Sequence, residues 1–263
     1  MIKVSNVSYS VGRKEILSNI SFEAKPGEIM AIIGANGAGK STLLKLLCNE
    51  MLPSAGLIQF NGKDLDDYPI KELARKRSVL TQHNTISLSF TVKELVLMGR
   101  YPHFDGRPTE HDIQMVIEAM KATGITMMAG RTYETLSGGE QQRVQLARVI
   151  AQIQDVPNGW LLLDEPTNGL DLLHQQQLLI HARGMADRGY GVICIMHDIN
   201  LAAAYADQIM ILKQGKVQAL GNPEEVVTCE NIHDAFGIKV QLMKNENFNC
   251  PLVITTGRIN YNS

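Results

Sequence analysis

The sequence predicts an α/β fold built around a parallel sheet with helices against it, and three stretches carry that prediction. "WLLLDEPT" and "GVICIMHD" are apolar runs of strand length, and "HQQQLLIHARGMAD" between them reads as a helix. Such strand–helix–strand alternation brings the two strands parallel. "IMAIIG" is a further apolar strand, running through a glycine-rich loop into "KSTLLKLLCNEM", a helix. The N-terminal part, by contrast, reads as short strands of the alternating kind.

In order along the chain, "IKVSNVSYSV" and "NISFEA" are strands, and "KPGE" (Lys25 to Glu28) is a turn with Pro and Gly in favoured places. Past the glycine-rich loop and its helix, "GLIQFNGKDL" is a strand with an "NG" turn. From about Thr91 to Ala129 the spacing becomes helical. "TVKELVLMGR" is one helix and "TEHDIQMVIEAMKATG" a second. In the second, Thr109 caps, Asp112 completes a capping box, Ile113, Val116, Ile117 and Met120 share a face, and Gly124 ends the helix. Met115, Met120, Met127 and Met128 read as packing rather than as ligands. "QIMILKQGKVQALG" is a hairpin turning at Gln214 and Gly215. The tail from about Asn222 holds two short helices and a hairpin, "IKVQLM" and "PLVITT".

"LSGGEQQR", Leu136 to Arg143, raises a difficulty. Ser137 and Glu140 form a capping box that starts a helix, yet Gly138 and Gly139 fill its first turn. Glycine costs about 1 kcal/mol relative to alanine in a helix interior, and a serine cap returns only about 1 kcal/mol. Two bare backbone positions at a helix N-terminus suit an anion that must come close to the N–H groups.

Composition narrows the function classes. The chain has 263 residues, 44% hydrophobic and 20% charged, which is ordinary for one large globular domain or two modest ones. A net charge of -2 argues against a broad basic face for nucleic acid. Cys48, Cys194, Cys229 and Cys250 are scattered with no CxxC pair, so no disulfide frame is expected and a reducing cytosol fits. Cys194 reads as a small buried thiol. The N-terminus lacks the layout of a signal peptide, and no apolar run approaches the roughly 18 residues needed to span a bilayer. A soluble chain is expected, able to sit against a membrane through a partner.

The chemistry concentrates in three places. "GANGAGKS", Gly34 to Ser41, fits G-x-x-x-x-G-K-[ST] and has the required strand before it and helix after it. Gly34, Ala35, Asn36, Gly37, Ala38 and Gly39 would wrap a polyphosphate, Lys40 would reach its β- and γ-phosphates, and Ser41 would bind Mg²⁺. "WLLLDE" supplies the acidic partner at the end of a parallel strand: Asp164 as the metal ligand, Glu165 as a general base for water. His197 ends the next strand in "IMHD" and points to the γ-phosphate. His83, His103, His111, His174, His181 and His233 show no metal-ligand spacing, so no protein-bound zinc or haem is expected.

Taken together these residues resemble the ATP-binding subunits of ABC transporters, over essentially the whole chain. "GANGAGKST" through Thr42 looks like Walker A, Gln82 like the Q-loop glutamine and "LSGGEQQR" like the signature motif. "WLLLDE" looks like Walker B, Asp171 in "GLD" like the D-loop, and His197 like the switch histidine. Tyr9 sits where that family stacks an aromatic on adenine, the alternative being an exposed strand tyrosine. The resemblance implies a P-loop NTPase (RecA-like) core with an N-terminal antiparallel β subdomain and an inserted helical subdomain. The insertion accounts for the separation of Lys40 from Asp164, far more chain than the roughly 30 residues of one βαβ unit.

The division implied is about 1–85 and 136–221 for the β subdomain and core, about 86–135 for the helical subdomain, and about 222–263 for the C-terminal helices and hairpin. The resemblance further implies a competent ATPase using ATP and Mg²⁺, with Glu165, His197, Lys40 and Gln82 catalytic. Ser41, Gln82 and Asp164 would hold the metal, while Ser137, Gly138, Gly139, Glu140 and Asp171 would contact nucleotide. Family members pair head to tail, so a homodimer is expected, on the cytoplasmic face of the membrane, peripheral, bound to integral-membrane permease subunits. A periplasmic or surface substrate-binding protein would be an indirect partner; neither nucleic acid nor direct haem binding is expected. "FTVKELVLMGRYPHF" and the tail resemble importer ATPases for iron chelates, cobalamin and haem. "YETLSGGEQQRVQLARVIAQ", the spacing to "GWLLLDEPTNGLDLLHQ" and the ending "NCPLVI" are most similar to haem importers. Ferric siderophore or cobalamin import, and a soluble ABC ATPase acting on ribosomes or DNA, remain open at this point.

Overall fold

A computed structural model of the chain describes residues 1–81, 89–245 and 248–257. The elements begin with β1 (Ile2–Val11), β2 (Lys14–Ala24), β3 (Ile29–Ile33), α1 (Lys40–Leu47), β4 (Ala55–Phe60) and β5 (Lys63–Asp64). There follow α2 (Ile70–Lys76), β6 (Arg77–Leu80), α3 (Val92–Met98), α4 (Glu110–Ala122), α5 (Gly138–Ile153), β7 (Trp160–Asp164), α6 (Leu172–Asp187) and β8 (Gly191–Ile195). The last part holds α7 (Ile199–Tyr205), β9 (Gln208–Lys213), β10 (Lys216–Gly221), α8 (Pro223–Val226), α9 (Cys229–Phe236), β11 (Val240–Asn245) and β12 (Phe248–Thr255). By contact the chain forms two compact units, one of residues 1–24, 28–65 and 194–263, the other of 25–27 and 66–193.

The first unit holds an antiparallel sheet in the order β2-β1-β4-β5. Its tight turn at Asn61 (φ 51°) and Gly62 (φ 81°) is of the kind that asparagine–glycine pairs favour, as the "NG" pattern predicts. β3 runs parallel to β9, Ile32 opposite Met210, and β10 returns antiparallel through Gln214 and Gly215, both at positive φ. All five β3 residues are buried, which is why the strand reads as a continuous apolar run instead of an alternating one. β11 and β12 pair as the terminal hairpin. The Asn200 side chain on α7 holds β12, donating to Val253 O at 3.2 Å and accepting from Val253 N at 2.7 Å.

In the second unit β8, β7 and β6 are neighbours, with β6 parallel to β7. Helices α3, α4 and α5 pack together. The capping box of α4 forms as expected, Thr109 accepting from Asp112 N and Asp112 from Thr109 N. The buried face differs from the expected one. It runs through Asp112, Met115, Val116, Ala119 and Met120, leaving Ile113 and Ile117 half-buried. The reason is Arg100, 1% exposed, whose Nε donates to Asp112 Oδ1 at 3.0 Å and turns that carboxylate inward. Its Nη1 and Nη2 take both oxygens of Asp155, at 2.8 and 3.0 Å. The methionine expectation fails at Met127, which is 96% exposed, whereas Met115 and Met120 are buried. Cys194 is buried, as expected.

Candidate functional site

In the first unit the glycine-rich loop leaves the carboxyl end of β3 at Gly34 (φ 152°), where a Cβ would lie 2.2 Å from Leu212 O. No other residue fits there. The tip, Ala35, Asn36 and Gly37, is exposed, and a Cβ at Gly37 would meet nothing within 4 Å. The loop is thus an open cradle of backbone, shaped for a polyphosphate. Lys40 is 5% exposed, and its Nζ donates to Gly34 O at 2.8 Å and Ala35 O at 3.2 Å. Those carbonyls hold the ammonium over the loop. Ser41 and Thr42 follow, half-buried, in the first turn of α1.

The walls of this cradle are also defined. Gly215 N donates to Ala38 O at 3.0 Å, and Gly39 approaches β2 so closely that a Cβ would lie 2.6 Å from Leu17 Cδ2. Leu17 on β2 pairs with Tyr9 on β1, placing that half-buried residue one strand from the loop. On another side, Met196 N donates to Ile32 O at 3.1 Å, so the chain leaving β8 passes the end of β3 and presents His197, exposed. Asp198 then caps α7 by accepting from Asn200 N and Leu201 N.

In the second unit β7 delivers Asp164, half-buried, followed by Glu165 at φ 49°. A glutamate in the left-handed region is uncommon and costs on the order of 1–3 kcal/mol. Asn168 Nδ2 donates to Glu165 Oε2 at 2.6 Å. Asp171 caps α6, accepting from His174 N at 2.9 Å and from His174 Nδ1 at 2.7 Å. The His174 backbone N–H is the main reason its carboxyl is held below the usual range. At the start of α5, Ser137 N and Oγ donate to Glu140 Oε2 at 2.7 and 3.0 Å, and these bonds hold the Glu140 carboxyl low as well. A Cβ on Gly138 would meet nothing within 4 Å, so no neighbour in the chain demands the glycine.

The first unit therefore gathers the cradle, Lys40, Ser41, Thr42, Tyr9 and His197. The second gathers Asp164, Glu165, Asp171 and the Ser137–Glu140 turn. Gln82 and His83 lie outside the described residues. Ser41 and Asp164 supply a hydroxyl and a carboxylate, hard oxygen donors of the type magnesium takes. Among the described residues no group of three or more His, Cys, Asp or Glu could hold a metal by itself. Sequence reasoning missed Gln142, Asn168, His174 and Gln175, which hold the segment after Glu165. Gln142 stands inside "LSGGEQQR", but residue type and spacing do not report the backbone carbonyls that Gln142 and Gln175 hold.

The family profile described as ABC transporter matches residues 17–168, more than half of the chain. The chain belongs to the ABC transporter family. As an ABC ATPase it binds and hydrolyses ATP. It is 47% identical over 260 residues to the "Hemin import ATP-binding protein HmuV" of Gloeobacter violaceus, covering 98% of this chain and 94% of that one. To the protein of the same name from Pseudomonas aeruginosa it is 43% identical, covering 97% and 99%. Among solved structures, the ABC ATPase is similar to a chain of an inward-facing transporter described as metal-chelate type. That match has a TM-score of 0.82 and 27% identity over 97% of each chain. It is also similar to the dimeric cassette MJ0796, with a TM-score of 0.74 and 28% identity over 84% of this chain and 98% of that one. The α/β core with an antiparallel β subdomain is the fold these ABC cassettes share.

Proposed function

We propose that this cassette powers import of haem through a membrane permease, working as a homodimer with two shared ATP sites. The observation that carries the cargo is the set of relatives, 41% to 47% identical over nearly the whole chain, each named for hemin import. The metal-chelate description of the 27% identical neighbour favours a second reading, import of a ferric siderophore or cobalamin. Among the described residues no helix is long and apolar enough to cross a membrane; the permease subunits are those that the resemblance to importer ATPases implies. The ATPase then sits peripherally on the cytoplasmic face.

The chemistry follows from the residues in place. Loop N–H groups from Gly34 to Gly39 and the Lys40 ammonium hold the β- and γ-phosphates and spread the charge that develops as the γ-phosphoryl leaves. Ser41, Asp164 and Gln82 would hold magnesium, which when bound would supply positive charge to the phosphate oxygens. Glu165 orients a water and takes its proton, and His197 holds the γ-phosphate from the adjoining strand end. Tyr9 stacks on the adenine. Ser137, Gly138, Gly139 and Glu140 present a bare helix N-terminus to the nucleotide of the other subunit, and Asp171 lies at that interface.

The decisive experiment co-purifies the chain with its permease in lipid vesicles and measures ATPase stimulation and uptake with haem, a ferric siderophore and cobalamin. Haem is expected to stimulate. Stimulation by the siderophore or cobalamin alone would replace the cargo reading.

A further inference from the structure

The segment from Glu165 to His174 is tied to the signature helix at both ends. At its start, Gln142 Nε2 on α5 donates to Pro166 O at 2.7 Å, on the residue directly after Glu165. At its end, the neighbouring residue Arg143 contacts His174 Nε2 through Nη1. Arginine can only donate, so Nε2 accepts and the ring proton sits on Nδ1, which donates to Asp171 Oδ1. Between the ends, Gln175 Nε2 holds Thr167 O and Leu170 O. Arg143 and His174 also border a cavity of about 220 Å³ lined by Leu146, Leu170 and Leu178.

We propose that Gln142, Arg143 and His174 are positioning residues that lock the Glu165–Asp171 segment to the first turns of α5. The inference rests on the proposed homodimer, in which Glu165 serves one nucleotide and Ser137–Gly139 serve the other subunit's. The same rigid piece then reads both sites. When the partner's γ-phosphate draws the α5 N-terminus toward it, Gln142 moves Pro166 and the Arg143–His174 contact moves Asp171. Glu165, strained at its backbone and held by Asn168, reaches its water position only in that arrangement. Gln142 and Arg143 are adjacent on α5, so a displacement of one turn acts on both ends of the segment together.

The test compares wild type with Gln142→Leu, His174→Phe and His174→Gln in the full chain. Each is assayed for kcat, half-saturating ATP, Hill coefficient and melting temperature, with ATP-driven dimerisation followed in the Glu165→Gln background. Gln142→Leu and His174→Phe are expected to lower kcat about 10- to 100-fold, as displaced catalytic groups do. Half-saturating ATP should change less. The Hill coefficient should fall from about two, the number of sites, toward one. His174→Gln keeps one donor and one acceptor and should recover most of kcat. Wild-type kcat and cooperativity in Gln142→Leu would overturn the proposal, and so would equal damage in His174→Gln and His174→Phe, which would reduce the ring to packing. If His174→Phe fails to fold, Gln142→Leu decides by its own kcat and Hill coefficient. The homodimer itself fails separately, if Glu165→Gln alone stays monomeric with ATP.

Discussion

Gly138 separates stability from function at a single position. It is helical, and a Cβ there meets nothing within 4 Å, so Gly138→Ala should stabilise α5 by up to about 1 kcal/mol. If the bare turn meets the partner's phosphate, the added methyl should nevertheless lower turnover at least about tenfold by displacing that contact. Thermal melts and steady-state ATPase assays on the same sample measure both, and unchanged turnover would remove the reason offered for the glycine. Positions of this kind were legible in the sequence because a glycine that violates local preference needs an external cause. Gly34 was legible as part of the loop, but its necessity was not. The Leu212 carbonyl that excludes a side chain belongs to β9, remote in sequence.

The helices show where local signals stop. The box residues of α4 and α5 identify both helix starts because capping is satisfied within four residues. Which face of α4 is covered depends instead on Arg100 and on Asp155, two residues past the end of α5. Burial alone would raise both carboxyls, yet the hydrogen bonds made to them, Arg100's included, outweigh that and hold both low. Arg100→Leu leaves Asp112 buried without a cation and Asp155 with His111 alone, and should cost about 3–5 kcal/mol in urea denaturation. A loss below about 1 kcal/mol, the level of an exposed pair, would show that the network is solvated. The apolar periodicity pointed to Ile113 and Ile117 because hydrophobicity scales count aspartate as outward, and no local pattern reports a buried guanidinium waiting for it.

For the molecule as a working unit, the central prediction concerns association. Glu165→Gln should bind ATP but hold turnover down by about 10²–10⁴-fold, the usual contribution of a general base, and so accumulate an ATP-bound dimer visible by gel filtration. A monomer at saturating ATP would sink the shared-site mechanism. The motifs proposed for this site were legible because the cradle, the acidic strand end, His197 and the Ser137–Glu140 turn each lie within a few consecutive residues, where spacing and residue type carry the chemistry. Short-range capping and turn preferences likewise marked the starts of α4 and α5 and the turns at Asn61–Gly62 and Gln214–Gly215. Folding in three dimensions decided the rest. It chose the buried side of α4, exposed Met127, set Gly34 against Leu212 and brought Gln142 and Arg143 to the segment that follows Glu165. Each of these depends on a contact between residues remote in the chain, and such a contact leaves no periodicity behind because the partner of a carbonyl or a guanidinium is found only when the chain closes on itself.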